Sequence, residues 1–417
     1  IEFTEQVLKM INLDSDENKN IRKMKSGDTM FRRILYITGT IGLTSLLLTS
    51  QSYAVEKPTP LVNKEENANI STQYEPQSLT LTTKQGQILY NYNENKKVDP
   101  ASLTKMMTMY LTLDAVKSGK IHMKDKIKIT SKQAQLSQKS NLSSVPLEAG
   151  QTYTVKDILS QTALASSNAA ALILGAKVSS STSTFTDKMN QQAKTFHMKD
   201  THFTSPAGAD TELLGSSAPQ KYKNQGKTSS TSKDMNIMMY HMIKEHPEIL
   251  KTTQNKSDTQ KGQSFESTNL SLKGQPKYYK GTDGLKTGTS DSGYSLALTN
   301  KQHGLRLNET ILDVTPYPSE TAKLNRNEIA NDMMKYYRKQ YEYKKVLSKG
   351  EHQIDGKKYT VKKDLYDVVP KHKKWYIAIN DKGNAYVHYQ RHFLDGASYP
   401  SVKAEKKSSG LFGWLSH

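Results

Sequence analysis

Ser102 and Lys105 stand three residues apart in Pro100-Ala101-Ser102-Leu103-Thr104-Lys105, at the head of a stretch with apolar residues at helical spacing. Residues three apart share a helical face, so the lysine amine can reach the serine hydroxyl. A lysine kept from water, or set beside another cation, releases its proton more readily and can then take one from a hydroxyl. Backbone N–H groups at a helix start face a developing negative charge. The chemistry these residues could do is nucleophilic attack by serine on an acyl group. Alone, the spacing is cheap. Ser230 and Lys233 repeat it inside a polar Ser/Thr run, where a helix cap is the plain reading.

Two further elements carry polar groups. Ser166-Ser167-Asn168 precedes the apolar run 169–174, and its bland reading is an N-cap. The second copy of that triplet, Ser267-Thr268-Asn269, shows how easily it arises. Gly284-Leu285-Lys286-Thr287-Gly288-Thr289 leads into a strand-like run. Lys286 offers a cation, Thr287 and Thr289 offer hydroxyls, and Gly288 permits close backbone approach to a ligand; a plain turn is the alternative. A phosphate loop would open a helix, so nucleotide binding falls away. The chain has no Cys, which excludes disulfide scaffolds, thiolate metal sites, cysteine nucleophiles and lipid attached through Cys. His122, His197, His202, His241 and His246 lack ligand-like spacing, and no metal or cofactor is expected.

The elements that must position these residues follow from period and turn residues. Leu79 and Leu81 alternate with Thr80 and Thr82, Lys84-Gln85-Gly86 turns, and 87–92 returns as a second strand. Residues 101–116, 155–164, 168–178, 184–196 and 232–244 have helical periodicity. Strands are expected again at 295–299 and 305–314, then a helix over 326–341. Strands, a helical block and strands again describe an α/β or α+β fold, with helices packed on an antiparallel sheet. Beyond 343 the runs shorten to 344–347, 352–354, 358–361, 375–379 and 385–389. Lys349-Gly350, Asp355-Gly356 and Asp381-Lys382-Gly383 part them, as in a small all-β domain.

Length and charge bound the rest. The chain has 417 residues, 35% of them hydrophobic, and 59 Lys+Arg against 40 Asp+Glu. A polytopic membrane protein is excluded. Residues 30–54 read as a signal peptide: Arg32 and Arg33, the apolar run 34–48, then small residues around Ser52-Tyr53-Ala54. Residues 1–29 read as an upstream or non-native extension and 55–75 as a linker. Residues 76–342 form the chemistry-bearing domain, and 343–405 the β domain. In the tail, 406–417, Gly410-Leu411-Phe412-Gly413-Trp414-Leu415 follows a basic run, as in an interfacial foot or a truncated anchor. Export turns the net charge of +19 away from nucleic acid, toward anionic lipid headgroups or teichoic acids at a cell-wall or membrane surface. Lysine excess as mere surface solvation is the alternative.

In the order Ser-x-x-Lys, Ser-x-Asn, Lys-Thr-Gly, at 102, 166 and 286, the chain resembles the low-molecular-mass penicillin-binding proteins, the serine-type D-alanyl-D-alanine carboxypeptidases. Within them it is most similar to the staphylococcal member that also cross-links wall peptides. The resemblance covers about residues 75–405, including Thr201-His202-Phe203 with Pro206 and Gly208. It implies a penicillin-binding, β-lactamase-like transpeptidase domain followed by the β domain. It also implies roles. Ser102 attacks the penultimate D-Ala carbonyl, Lys105 takes its proton, and Ser166 relays a proton toward the leaving amine. Asn168 holds the substrate amide, while Lys286, Thr287, Gly288 and Thr289 receive the terminal carboxylate. Ser102 and Thr289 supply oxyanion N–H groups. The implied partners are peptidoglycan stem peptides ending in D-Ala-D-Ala and β-lactam antibiotics.

Two rivals stand beside it. A serine β-lactamase shares the motifs but typically lacks the β domain, and its deacylating Glu has no match, since Glu148 precedes the Ser-x-Asn element. A basic wall-binding protein with decayed motifs is the second, and all three motifs are intact here.

Overall fold

The computed structural model describes residues 55–407. The expected extension over 1–29, the expected signal peptide over 30–54 and the apolar end of the tail lie outside the described residues. Among those residues no helix is long and apolar enough to cross a membrane.

Residues 55–75 fold rather than link. Pro58 opens α1 (Pro58–Glu66), where its missing N–H costs nothing, and Leu61 and Val62 are buried. The expected hairpin is present as β1 (Pro76–Thr83) and β2 (Gln87–Tyr92). The helical block contains α2 (Lys105–Lys117), α3 (Val155–Ala163), α4 (Asn168–Val178), α5 (Thr182–Thr195) and α6 (Ser232–Glu245). The chain then returns through β3 (Thr282–Thr289), β4 (Tyr294–Gln302) and β5 (Leu305–Val314) to α7 (Glu320–Gln340). Helix α7 starts six residues before the apolar periodicity does. Ser319 accepts from the Ala322 N–H and caps a polar first turn that the hydrophobic pattern does not reveal.

The sheet is antiparallel, in the order β2–β1–β5–β4–β3. Leu79 and Leu81 bury toward α1 and α7 together with Leu296, Leu298, Ile311 and Met333. The threonines between them do not face water. Thr80 Oγ1 lies 2.8 Å from Ser232 Oγ, and Thr82 donates to Asn236 Oδ1 at 2.7 Å, so α6 seals this face through satisfied hydroxyls.

One carboxyl in this sandwich is unsatisfied on both of its oxygens. Glu309 on β5 is fully buried opposite Leu81 and Leu298, and neither carboxylate oxygen has a hydrogen-bond partner among the described residues. Burial, then the nearby Asp332, pushes its carboxyl well above the ordinary glutamate value of 4.5. The folded state therefore binds this proton more tightly than the unfolded one. Its stabilising effect is full below pH 4.5 and is lost as pH rises toward the folded value. Glu309→Leu is expected to gain about 1–3 kcal/mol at pH 8 and to flatten the decline of Tm between pH 5 and 8. Calorimetry of both proteins checks this, and parallel Tm–pH curves would refute it.

The C-terminal domain contains β6 (Tyr341–Leu347), β7 (Gly350–Ile354), β8 (Lys357–Val361), β9 (Leu365–Pro370), β10 (Tyr376–Ile379), β11 (Asn384–His388), β12 (His392–Phe393) and β13 (Ser401–Lys406). Asp355 and Gly356 both take positive φ, 48° and 73°, in a two-residue turn that joins Ile354 to Lys357. Strands β6 and β9 pair, and the others form a five-stranded sheet, β7–β8–β13–β11–β10, over a small core. Strand β12 instead leaves the domain and adds itself to the outer edge of β2, with Phe393 opposite Gln87. The next residue, Leu394, is buried in the same core as α2 and α6.

Candidate active site

The Ser-x-x-Lys motif sits on one turn of 3-10 helix, Ala101–Thr104, that runs directly into α2. This turn is held tightly. Ala101 adopts φ 48°, which side chains seldom take, and its N–H donates to Asp99 Oδ1 at 2.8 Å. Gly208 packs beneath it, where an added Cβ would meet the Ala101 carbonyl at 2.1 Å. Burial pushes the Asp99 carboxyl up to about 6.

Lys105 is completely buried. Its Nζ lies 2.6 Å from Ser102 Oγ and donates to Asn168 Oδ1 at 2.8 Å and to the Ala207 carbonyl at 2.7 Å. Burial, then the charge of Lys286, holds its amine well below the ordinary lysine value of 10.5. A neutral amine keeps two N–H donors for Asn168 and Ala207 and leaves its lone pair facing Ser102. That is the arrangement of a base for the serine proton.

The second motif divides its labour. Ser167 is the N-cap of α4 and accepts from the Ala170 N–H, so the bland reading belongs to the middle residue. Ser166, at φ 57°, turns its hydroxyl to accept from Lys286 Nζ at 2.8 Å. Asn168 bridges two segments, accepting from Lys105 and donating to the Ser143 carbonyl at 2.9 Å. Its amide therefore positions Lys105 as well as lining the cleft.

Lys286 extends from β3, an edge strand of the sheet, and is buried. Burial, then the Arg326 charge, lowers its amine to about 7. Gly288 is needed for a reason other than ligand approach. An added Cβ would stand 2.7 Å from the Pro100 carbonyl, so this glycine brings the strand against the turn that carries Ser102. The triplet Ser267-Thr268-Asn269, cheap in sequence, also serves here. Thr268 Oγ1 lies 2.5 Å from Thr287 Oγ1, and Asn269 donates to the Gly284 carbonyl at 3.2 Å. The other copy stays structural: Thr231 caps α6, and Lys233 lies 3.7 Å from Asp395.

Ser102, Ser166, Asn168, Thr287 and Thr289 line one open cleft of about 740 Å³. Arg326, absent from the sequence reading, lines it too. It is 2% exposed, bonded to Asn327 and to the Ser295 carbonyl, with no carboxylate partner among the described residues. Single-sequence patterning could not mark an arginine on a charged helix as buried beside a motif more than 35 residues away. Among the described residues, no group of three His, Asp or Glu could hold a metal ion.

Comparison with known proteins adds an independent line. Residues 65–315 match the family model described as D-alanyl-D-alanine carboxypeptidase, and residues 343–405 match a domain of unknown function, DUF1958. The D-alanyl-D-alanine carboxypeptidase DacF of Bacillus subtilis is 31% identical over 307 residues, 72% of each chain. A peptidoglycan synthesis regulatory factor (PBP3) from Streptococcus pneumoniae superposes with a TM-score of 0.68 at 25% identity, over 80% of this chain and 99% of that one. Penicillin-binding protein D2 from Listeria monocytogenes, solved in its ampicillin-bound form, gives a TM-score of 0.53 at 28% identity, over 64% and 99%.

Proposed function

The chain belongs to the D-alanyl-D-alanine carboxypeptidase family, a family of serine enzymes that act on peptidoglycan outside the cytoplasm, and from that premise we propose how its own residues perform the reaction. Ser102 Oγ attacks the carbonyl of the penultimate D-Ala as Lys105 takes the hydroxyl proton, and D-Ala leaves with a proton relayed through Ser166. The observation that carries this reading is the pair of amine–hydroxyl contacts on one cleft: Lys105 to Ser102 at 2.6 Å and Lys286 to Ser166 at 2.8 Å. Lys286, Thr287, Thr289 and Arg326 receive the terminal carboxylate, two cations and two hydroxyls around an anion. The N–H groups of Ser102 and Thr289 take the oxyanion. The acyl-enzyme then passes to water, or to an amino group of a second stem peptide, the transpeptidation suggested by the staphylococcal likeness. The basic surface suits a wall polymer such as teichoic acid or an anionic membrane face as its setting.

The test is incubation with penicillin and, separately, with a D-Ala-D-Ala peptide plus an acceptor peptide that carries a free amino group. One penicilloyl group on the peptide that carries Ser102 and release of D-Ala support the reading. An acyl-enzyme that hydrolyses within milliseconds would favour a β-lactamase instead, and no acylation would favour a decayed wall-binding protein.

The amines predict a pH dependence. Recognition of a carboxylate needs Lys286 charged, and its free-enzyme value is about 7. kcat/KM for D-Ala release should therefore fall as pH rises through that value. Arg326 lowers the Lys286 value, so Arg326→Ala should weaken substrate binding and also move this limb to higher pH. A limb that stays in place would remove Lys286 as its source.

A further inference from the structure

The C-terminal sheet carries an aromatic row on its outward face, open to solvent at Tyr376 and His388 and half-buried where Tyr386 meets Tyr399. In the five-stranded sheet, Ile377, Ile379, Ala385, Val402 and Ala404 point into the small core. Side chains alternate along a strand, so Tyr376, Tyr386 and His388 project from the opposite face. Register sets Tyr376 opposite His388 and Tyr386 opposite Ser401. The rings form a continuous path. Tyr376 and His388 are 4.8 Å apart, His388 and Tyr386 6.0 Å, and Tyr386 stacks on Tyr399 at 4.5 Å. Phe393 ends the path 6.4 Å from Tyr399, under the Arg391 guanidinium. Tyr376 is 56% exposed. Asn380 donates to the Tyr399 hydroxyl at 3.3 Å, and Lys403 stands opposite Asn384 on the same outward face.

Such a row of rings, exposed at one end and half-buried along the rest, marks an interaction surface rather than a core. We propose that it docks the glycan strand of peptidoglycan, a polymer of acylated amino sugars; this rests on the reading that the cleft works on that polymer's peptides. A pyranose ring presents a flat patch of C–H groups that stacks on the electron-rich face of an aromatic ring. Tyrosine hydroxyls and the Asn384 amide at the ring edges suit sugar hydroxyl and acetamido groups. Charge is complementary too. Residues 343–405 carry thirteen Lys and Arg against seven Asp and Glu, and the stem peptides that branch from a glycan strand end in carboxylates. An interfacial membrane foot would present large apolar side chains. The exposed large hydrophobics of this domain are Tyr366 and Tyr376, with no Leu, Ile, Phe or Trp. A docked strand would hold its many stem peptides near the cleft and raise their effective concentration there.

The test uses the full chain and its Tyr376→Ala/Tyr386→Ala variant. Each is sedimented with peptidoglycan stripped of teichoic acid, with and without an oligomer of β-1,4-linked N-acetylglucosamine as competitor. Penicillin acylation is timed in parallel. The expected result is about tenfold weaker sedimentation of the variant, competition by the oligomer on the parent alone, and an unchanged acylation rate. Tyr376→Ala alone, at an exposed strand end, should give a smaller loss, and Tyr386→Trp should restore stacking; these guard against a variant that fails to fold. Equal sedimentation of parent and variant overturns the proposal. So does a loss confined to teichoic-acid-bearing walls or to phosphatidylglycerol vesicles, or a dimer that the substitutions dissolve. Failure of the parent to react with penicillin would instead count against the cleft reading, while the sedimentation result still decides the docking.

Discussion

Ser102→Ala should abolish covalent labelling by a fluorescent penicillin and stop D-Ala release, with the folded protein intact. The hydroxyl lies on the cleft wall 2.6 Å from the Lys105 amine, which burial and the charge of Lys286 hold proton-poor. Removing it subtracts one oxygen atom from a half-buried position, so Tm should hardly move. Loss of a nucleophile has no partial form: with Ser102 gone, Lys105 keeps only Asn168 and the Ala207 carbonyl as partners, and Ser166 remains an acceptor from Lys286. Stoichiometric labelling of the alanine variant, located by mass spectrometry, would assign the chemistry to another residue.

The second large effect is expected at Lys105. Lys105→Ala should slow penicillin acylation by about a thousandfold, within the range for losing a positioned general base. It also leaves the Asn168 Oδ1 and the Ala207 carbonyl without their donor, so a modest fall in Tm should accompany the kinetic loss. Two measurements separate the causes. Stopped-flow acylation at saturating penicillin reads the chemical step, and a melting curve reads the fold. An acylation rate near that of the parent would place the base elsewhere. The sensitivity to pH carries a further signature. Lys286 helps keep Lys105 neutral, so Lys286→Ala should raise the Lys105 value and shift the acidic limb of acylation upward.

How much of this was legible in the sequence depends on what each residue needs. Helix α4 was readable to its ends, since Ser167 caps it and apolar residues fill it. Ser102 and Lys105 were readable because their relation is local. The convergence of residues 102, 166 and 286 required three motifs taken together, since each alone has an ordinary structural use. What stayed hidden is mostly long-range or backbone. The carbonyls of Ala207 and Ser143 have no sequence signature, yet they fix Lys105 and Asn168. Helix α1 was hidden by its composition, because Pro, Asn and Glu resemble a linker until α7 covers Leu61 and Val62. Strand β13, Ser401–Lys406, has only Val402 and Ala404 to alternate against charges, and its pairing with β8 and β11 decides its state.

The excursion of β12 has a consequence for how this molecule can be divided. Its two residues hydrogen-bond to β2, Leu394 N–H donates to the Gly86 carbonyl at 2.8 Å, and Ala397 rests where any side chain on Gly86 would collide. A recombinant truncation at the family boundary near 343 would therefore strip a plug from the interior of the enzyme half, not just remove an appendage. The two modules are sewn together, so the orientation of the cleft is inherited from the module behind it. Neither can be exchanged between relatives as a cassette without carrying its stitch along.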